Sequence, residues 1–446
     1  MNEAITLTLT DMANGGQALG RYNEKTIFVP YAIPGEEITA RIVDDRGRYA
    51  FAEGITVLDP SADRVLPVCP HFGLHQCGGC QWQHIDYDAQ LALKTDIVVD
   101  QLERIGGFTD AEVGMTLASP QWNYRHEAIL YPHPAGKTGF LSTDGKTPFL
   151  IDECHILTPE LLELLRQLDL ELPTLTQIIL RDNGAGDLMV MLSTSDDNPP
   201  SLELDLGASV NFLLNDGEPA NLIGATHLRY KLLGESYRVT AGSFLRANPP
   251  QIETLMRLVR DWLVLSGNEC ILDLYAGVGL FSAVLASDAS LITCVDHFPP
   301  AMTDAEENLS AFDHINVIEG DVEEILYSIP DDEVYDIAIL DPSVGGLDRD
   351  VMDALESVLP PRLIYIGDDP ATLARDAKRL HERYGYTLDA VQPVDFEPQT
   401  FRVVSVAHLH RGEERTMNFQ KRLKPPNILH IGQKQTGILH EFSENA

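Results

Sequence analysis

The sequence predicts a mixed α/β protein in which a small N-terminal β-barrel and an α+β middle precede a doubly wound parallel sheet. Three observations carry that expectation. Short alternating strands broken by Gly and Pro-Gly turns fill residues 5 to 58, four of the six cysteines gather between residues 69 and 154, and from about Pro250 helical stretches alternate with short apolar strands. A chain of 446 residues exceeds one ordinary core, and its length suggests roughly two to four domains. The divisions read from the pattern are 1–60, 61–245, 246–410 and a polar extension 411–446.

In the first segment the strands read ITLTL, KTIFVPYA, EEITARIV and FAEGITVL, with turns at Gly15-Gly16, Gly20 and Pro34-Gly35. Period-2 alternation at this spacing suits a barrel of the oligonucleotide-binding type. The second segment mixes strands and helices. In the third, the helical stretches IETLMRLVRDWL, AMTDAEENLSAF and ATLARDAKRLHERYG alternate with CILDL, LITCVD, INVIEG, YDIAILD and RLIYIG, the signature of a parallel sheet covered on both faces. The last segment is polar and aperiodic.

Composition narrows the function. No apolar run approaches the roughly 20 residues needed to cross a bilayer, and the start MNEAITLTLTD has neither the basic residues nor the apolar core of a signal peptide, so a cytoplasmic protein is expected. A net charge of -36, from 68 acidic and 32 basic residues, opposes loose binding to any polyanion. Contact with nucleic acid would need a local basic patch. Candidates are Arg41, Arg46 and Arg48, and near the C-terminus Arg411, Arg415, Lys421, Arg422 and Lys424, although solvated surface charge is the plainer explanation of each.

The segment ILDLYAGVGLFS, from Ile271 to Ser282, is the sharpest functional signal. A strand ends at Asp273-Leu274, Tyr275 follows, and Gly277 and Gly279 let the backbone pass close to a ligand at the strand's C-terminal edge. Asp296 closes the next strand about 20 residues on, a carboxylate suited to two ribose hydroxyls. A third strand ends at Gly320-Asp321, where Asp321 can meet an adenine amino group. With Asp273 four residues ahead of Gly277, the pattern fits S-adenosylmethionine (SAM) in a class I, Rossmann-like methyltransferase domain. A nicotinamide dinucleotide is the alternative, but its fingerprint wants Gly or Ala where Ser282 stands.

Cys69, Cys77 and Cys80 form C-x7-C-x2-C, with Cys154 as a possible fourth ligand. Two thiolates at C-x2-C spacing can grip a metal centre, and Gly78-Gly79 permits the tight turn. Spacing alone leaves a structural zinc and an iron–sulfur cluster both open. Cys270 and Cys294 fall within predicted strands, where a free cysteine usually acts as a small buried hydrophobe.

Taken in order, CPHFGLHQCGGCQWQHIDYDAQLALK with a later CHIL, TAGSFLRANPPQ, PATLARD and DFEPQT resemble the bacterial RNA uracil-C5 methyltransferase family, over nearly the whole chain up to about His410. The resemblance implies a TRAM domain that binds RNA in the barrel, a [4Fe-4S] cluster on Cys69, Cys77, Cys80 and Cys154, and SAM bound by Arg246, Asp273, Tyr275, Gly277, Gly279, Asp296, Asp321 and Asp341. Ribosomal or transfer RNA is the implied partner, with no obligate protein partner, and a monomer is expected. In the family's chemistry a cysteine adds to C6 of uracil, C5 then attacks the SAM methyl, and a glutamate removes the C5 proton.

This chain departs from that pattern at the reacting positions. Asp368 stands where the family has its cysteine, in GDDPATLARD, and Val404 stands where it has its glutamate, in QTFRVV. The family's Asp-Pro-Pro-Arg reads Asp341-Pro342-Ser343-Val344, and Arg246 takes a glutamine position. A carboxylate adds poorly to an activated alkene and valine takes no proton. Two expectations follow. One is a SAM-dependent RNA methyltransferase with altered chemistry, in which Asp341 and Asp368 orient or deprotonate a nitrogen or hydroxyl acceptor. The other is a pseudoenzyme that binds RNA as an assembly factor.

Overall fold

The computed structural model describes residues 4–412 apart from 169, 171, 202–206 and 331, together with the backbone of 428–430. The expected basic residues Arg415, Lys421, Arg422 and Lys424, and most of the extension, lie outside the described residues.

Strands β1 (Ala4–Met12), β2 (Ala18–Tyr22), β3 (Lys25–Val29), β4 (Glu37–Asp45) and β5 (Tyr49–Asp59) close into a barrel in the order β1-β2-β3-β5-β4. Alternation along β1 sends Ile5, Leu7 and Leu9 inward, where they meet Ile27, Val29 and Ile38. Three register shifts between β4 and β5 supply the local bends that coil these longest strands around the barrel. Arg41 and Arg46, read as a possible basic patch, pair with Glu53 and Asp44.

Helix α1 (Tyr87–Gln101) begins after Asp86, whose side chain accepts from the Asp88 backbone, and a short strand β6 (Glu112–Gly114) follows. The middle of the chain forms β7 (Glu127–Pro132), β8 (Thr138–Leu141), β9 (Pro148–Phe149), α2 (Pro159–Gln167), β10 (Leu175–Asp182), β11 (Leu188–Thr194), β12 (Ser209–Leu213) and β13 (Pro219–Ile223). Its sheet runs β13-β12-β11-β10-β7-β8-β9, and the apolar stripe Leu161, Leu164, Leu165 of α2 packs on it. A hairpin of β14 (His227–Leu232) and β15 (Glu235–Thr240) leads into α3 (Pro249–Leu263), which is capped by Asn248 with Pro249-Pro250 in its first turn.

The remaining elements are β16 (Cys270–Leu274), α4 (Leu280–Leu285), β17 (Leu291–Asp296), α5 (Pro299–Asn308), β18 (Ile315–Glu319), α6 (Val322–Ser328), β19 (Ile337–Leu340), α7 (Arg349–Ala354), β20 (Arg362–Gly367), α8 (Pro370–Tyr384), β21 (Thr387–Val394), β22 (Val404–His410) and β23 (Ile428–His430). They build a sheet in the order β18-β17-β16-β19-β20-β22-β21-β6-β23. Strands β16 to β20 are parallel, and β22 inserts antiparallel between β20 and β21. Both faces are covered, so neighbouring residues of one strand enter different cores. Ile271, Ile337, Ile339 and Ile364 join one cluster, while Leu272, Ala338, Leu340 and Leu363 join the other.

The cores do not divide where the sequence pattern does. Val98 and Leu102 at the end of α1, and Val113 of β6, pack with Leu272 and Leu274 of the parallel sheet. Leu228, Tyr230, Tyr237 and Val239 of the hairpin pack with Ile271. Both ends of segment 61–245 thus belong to the third segment's core, because β6 extends that sheet and the hairpin lies on its face. Among the described residues no helix is long and apolar enough to cross a membrane.

Candidate active site

Strand order reverses on either side of β16, and the loop after this strand opens at the sheet's C-terminal edge, where open α/β sheets take their ligands. Tyr275, Gly277 and Gly279 all adopt positive φ there, at 61°, 54° and 82°. A Cβ on Gly279 would come within 2.9 Å of Leu309, so only glycine lets the turn lie on the α5 end. The Asp273 carboxylate sits wholly buried beneath this turn. Its Oδ2 accepts from the Ser282 N–H (3.2 Å) and Oγ–H (2.6 Å), while Oδ1 is buried without a partner. Burial lifts its pKa to about 7. Ser282, which sequence reasoning used only to disfavour a dinucleotide, is the residue that clamps this acid.

Asp296 accepts one backbone N–H on each oxygen, from Gly277 (2.9 Å) and Phe298 (3.0 Å). It therefore ties the end of β17 to the glycine turn. Asp321 is exposed at the start of α6 and caps no backbone N–H there. Asp273, Asp296, Asp321 and Asp341 lie at the ends of four parallel strands that are consecutive in the sheet, in the order β18-β17-β16-β19.

Beside this edge lies a charge cluster that the sequence did not reveal. Arg246 donates from Nη1 to Asp341 Oδ2 and from Nη2 to Asp341 Oδ1, both at 2.7 Å, and from Nη2 to Asp368 Oδ1 at 2.9 Å. The guanidinium lies 5.5 Å from the Phe244 ring centre and 5.7 Å from that of Phe396, which leaves Nε buried and unpartnered. Burial pushes the Asp341 carboxyl up, and Arg246 opposes that shift. Burial lowers the Arg246 pKa in turn, but the two carboxylates outweigh it and hold the guanidinium firmly charged. Asp368 is the more open acid, with its side chain 28% exposed against 11% for Asp341. Val404 begins β22 and is packed in the main apolar cluster with Val406 and Phe396, so no titratable group occupies the family's base position. Arg246, expected at the cofactor, is in this structure the partner of both acids.

The loop that carries Asp368 is held by the barrel. Asn14 Nδ2 donates to Asp369 Oδ2 at 3.1 Å, and Asp369 also caps α8 by accepting from the Thr372 N–H. Gly16 lies flat against Phe401, where a Cβ would come within 2.6 Å of the Phe401 Cβ and 2.7 Å of its ring, and its carbonyl accepts from Trp82 Nε1 (3.0 Å). The loop that carries Phe396 is anchored from beneath by Lys94 of α1, fully buried, which donates to Asp395 Oδ1 (2.5 Å) and to the Glu397 carbonyl (3.1 Å). Tyr87 donates to the other Asp395 oxygen.

Cys69, Cys77, Cys80 and Cys154 line one cavity of about 370 Å³ beside the central sheet. Burial raises all four thiol pKa values, that of Cys77 to about 11, and Cys154 further raises the other three by proximity. A Cβ on Gly78 would come within 2.7 Å of the Ser142 carbonyl, which explains a glycine between the paired cysteines. Four partly buried thiols held around a cavity are a soft donor set that fits a sulfur-ligated group. Among the described residues no three His, Cys, Asp or Glu side chains converge as they would on one bare ion. Of the remaining cysteines, Cys294 is fully buried, as expected, while Cys270 is only partly so, at the first position of β16.

Comparison with known proteins places these features among relatives. Residues 2–55 match the TRAM domain family. An RNA methyltransferase of Halalkalibacterium halodurans is 30% identical over 450 residues, covering 92% of this chain and 97% of the relative. The 23S rRNA (uracil(1939)-C(5))-methyltransferase RlmD of Shewanella sediminis is 29% identical, covering 91% of this chain and 96% of the relative. The crystal structure of Pyrococcus abyssi tRNA (uracil-54, C5)-methyltransferase, in complex with S-adenosyl-L-homocysteine, superposes with a TM-score of 0.68 at 24% identity, over 91% of this chain and 100% of that one, and shares its fold.

Proposed function

The chain belongs to the RNA uracil-C5 methyltransferase family, and from that premise we propose that it is a SAM-dependent RNA methyltransferase whose acceptor is not uracil C5. One observation carries the proposal. Where the family places a thiol and a general base, this chain places Asp368 ion-paired to Arg246 and a Val404 packed into the core. C5 of uracil is a nucleophile only after a group adds to C6, and a carboxylate already paired with a guanidinium is a poor group to add. A ring or exocyclic nitrogen carries its own lone pair and needs no adduct. Arg246 engages Asp368 through Oδ1, and Asp368 is the better exposed of the two acids, so its other oxygen is suited to accept the proton or N–H of such an acceptor while Asp341 stays fixed.

SAM binding is supported by the glycine turn at the sheet's switch point and by the unpartnered Asp273 oxygen beneath it. Ribosomal or transfer RNA is the substrate class in this proposal, met in the cytoplasm by a monomer, and the TRAM barrel supports RNA binding. Cys69, Cys77, Cys80 and Cys154 would hold a [4Fe-4S] cluster, supported by four partly buried thiols around one cavity. Bound there, the cluster would supply a rigid crosslink between the loop at 69–80 and residue 154. The chain's own residues do the rest: Gly78 brings the loop onto Ser142, and Gln83 Oε1 accepts from the Cys69 N–H.

An RNA-binding pseudoenzyme is the alternative that one contact favours, since Arg246 covers both oxygens of Asp341. Incubating the purified protein with labelled SAM and unmodified ribosomal and transfer RNA, then digesting to nucleosides, separates the possibilities. A labelled nucleoside other than 5-methyluridine is the expected result. Labelled 5-methyluridine above a no-enzyme control refutes the proposal, and no labelled product from a chain that binds both SAM and RNA establishes the pseudoenzyme instead.

A further inference from the structure

A second cavity, of about 990 Å³ and open to solvent, lies between the barrel and the loop that leads to the cysteines. Its lining is mostly aliphatic, with one aromatic group formed by Tyr31, Phe72 and His84. The Tyr31 and Phe72 rings meet edge to face with centres 5.2 Å apart, and His84 lies 5.7 Å from Phe72 and 6.2 Å from Tyr31. His84 is 3% exposed, and neither ring nitrogen makes a hydrogen bond within normal geometry, although the Ala32 backbone bears on its charge. A buried imidazole left in that condition is unfavourable for folding alone. The rim is apolar and open, with Leu66 92% and Ile55 56% exposed. Arg64 is fixed in place at the mouth, its Nη2 donating to Glu36 (2.8 Å) and to the Tyr31 carbonyl (3.1 Å).

We propose that this cavity is a base-binding pocket that takes an unpaired nucleobase of single-stranded RNA, stacked against Tyr31 and Phe72 and hydrogen-bonded at its edge by His84. The inference rests on the RNA-binding reading above and adds a site that shares no residue with the glycine turn or the Arg246 cluster. Its chemistry suits a base better than a phosphate. Arg64, the cation at the pocket, is already neutralised by Glu36, and the chain's net charge of -36 repels a polyanion at long range. Affinity here must come from stacking and edge contacts, which tolerate salt, and not from counterion release. The pocket is continuous with a barrel that matches an RNA-binding class of module, since Ile38 and Val57 of β4 and β5 form part of its lining.

The test uses the full chain and a short fluorescein-labelled single-stranded RNA of mixed sequence containing 5-iodouridine. Tyr31→Leu keeps an apolar filler and removes the ring, Tyr31→Phe keeps the ring, and Leu66→Asp alters an exposed rim position that folding does not need. Anisotropy should show roughly tenfold weaker RNA binding in Tyr31→Leu and Leu66→Asp, near-unchanged binding in Tyr31→Phe, and unchanged SAM binding in all three. Photo-crosslinks should map to Tyr31 or Phe72, and raising salt should weaken binding only shallowly. RNA that binds as well to Leu66→Asp as to the unaltered chain, with crosslinks elsewhere, overturns the pocket while leaving RNA binding intact; capture of a protein at the rim with no effect on RNA does the same. A chain that binds no RNA at all ends both the pocket and the RNA-binding reading. Should Tyr31→Leu fail to fold, Leu66→Asp and the crosslink map decide alone.

Discussion

Replacing Arg246 with glutamine, the residue that the family resemblance implies at this position, isolates what the charge cluster contributes. The guanidinium makes three hydrogen bonds to two acids and lies between two phenyl rings. Removing one member of a buried ion pair costs about 3–5 kcal/mol, and the lost ring contacts add about 0.5–1 kcal/mol each. A glutamine amide returns one hydrogen bond to a carboxylate, offsetting about 1.5–3 kcal/mol. The expected net loss is therefore about 3 kcal/mol near pH 8. Its pH dependence has a definite sign. With the cation gone, no charge opposes the burial that already pushes the Asp341 carboxyl up. A carboxyl raised in the folded state is most favourable when protonated, so the penalty is small at pH 5 and grows as pH rises. Adding Asp368→Cys removes the second carboxylate, and the double variant should lose about 1–2 kcal/mol less than the sum of the singles. Urea unfolding at both pH values, followed by tryptophan fluorescence, measures all of this. A loss below about 0.5 kcal/mol at pH 8, typical of an uncoupled surface change, or a larger loss at pH 5 than at pH 8, would show that Arg246 does not hold these acids.

The other expectations concern separate parts of the molecule. Asp273 titrates near pH 7 when folded, against 3.8 for an ordinary aspartate, so folded stability should fall as pH rises between those values. Asp273→Asn should flatten that dependence and make the variant the more stable at pH 8, by up to several times the roughly 1.4 kcal/mol carried by each pKa unit; equal pH profiles for both proteins would count against a buried, unpaired carboxyl. Lys94→Met strands Asp395 in the core and should cost about 3–5 kcal/mol, whereas Lys94→Met with Asp395→Asn should recover part of the loss, which thermal unfolding of the three proteins compares. Anaerobically purified protein should be brown and contain iron and sulfide, and Cys80→Ser should lose the colour; stoichiometric zinc without iron would require a different metal at the four thiols.

Much of the architecture was legible because it rests on local patterns. The alternation of β1 and the short apolar strands from Cys270 to Leu274 and Leu291 to Asp296 follow from side-chain period. The glycine turn and the four cysteines were legible for the same reason, since each is a short motif. Contacts made across the chain were not. Arg246 and Asp341 are 95 residues apart, Arg246 and Asp368 122, and Lys94 and Asp395 301, and no period or spacing links them. The substitutions at 246 and 368 looked like two independent losses in the sequence. In space the two positions meet, a cation and an anion that satisfy each other. The placement of β6 beside β21 escaped for a related reason, because three residues are too few to show alternation.

The seam between the first barrel turn and the methyl-transfer loops has a consequence for how this protein can change. Asn14 grips the residue next to Asp368, and Gly16 admits the ring of Phe401 where any larger residue would collide. The barrel thus braces the loop that carries Asp368 and cannot be treated as an appendage that only recruits substrate. Exchanging it for the barrel of a relative would carry over a turn shaped to someone else's loop, and the misfit would be felt at position 368 before any RNA arrived. Shortening the chain from its start should blunt chemistry along with recognition, so the two halves of this molecule are constrained to diverge in step.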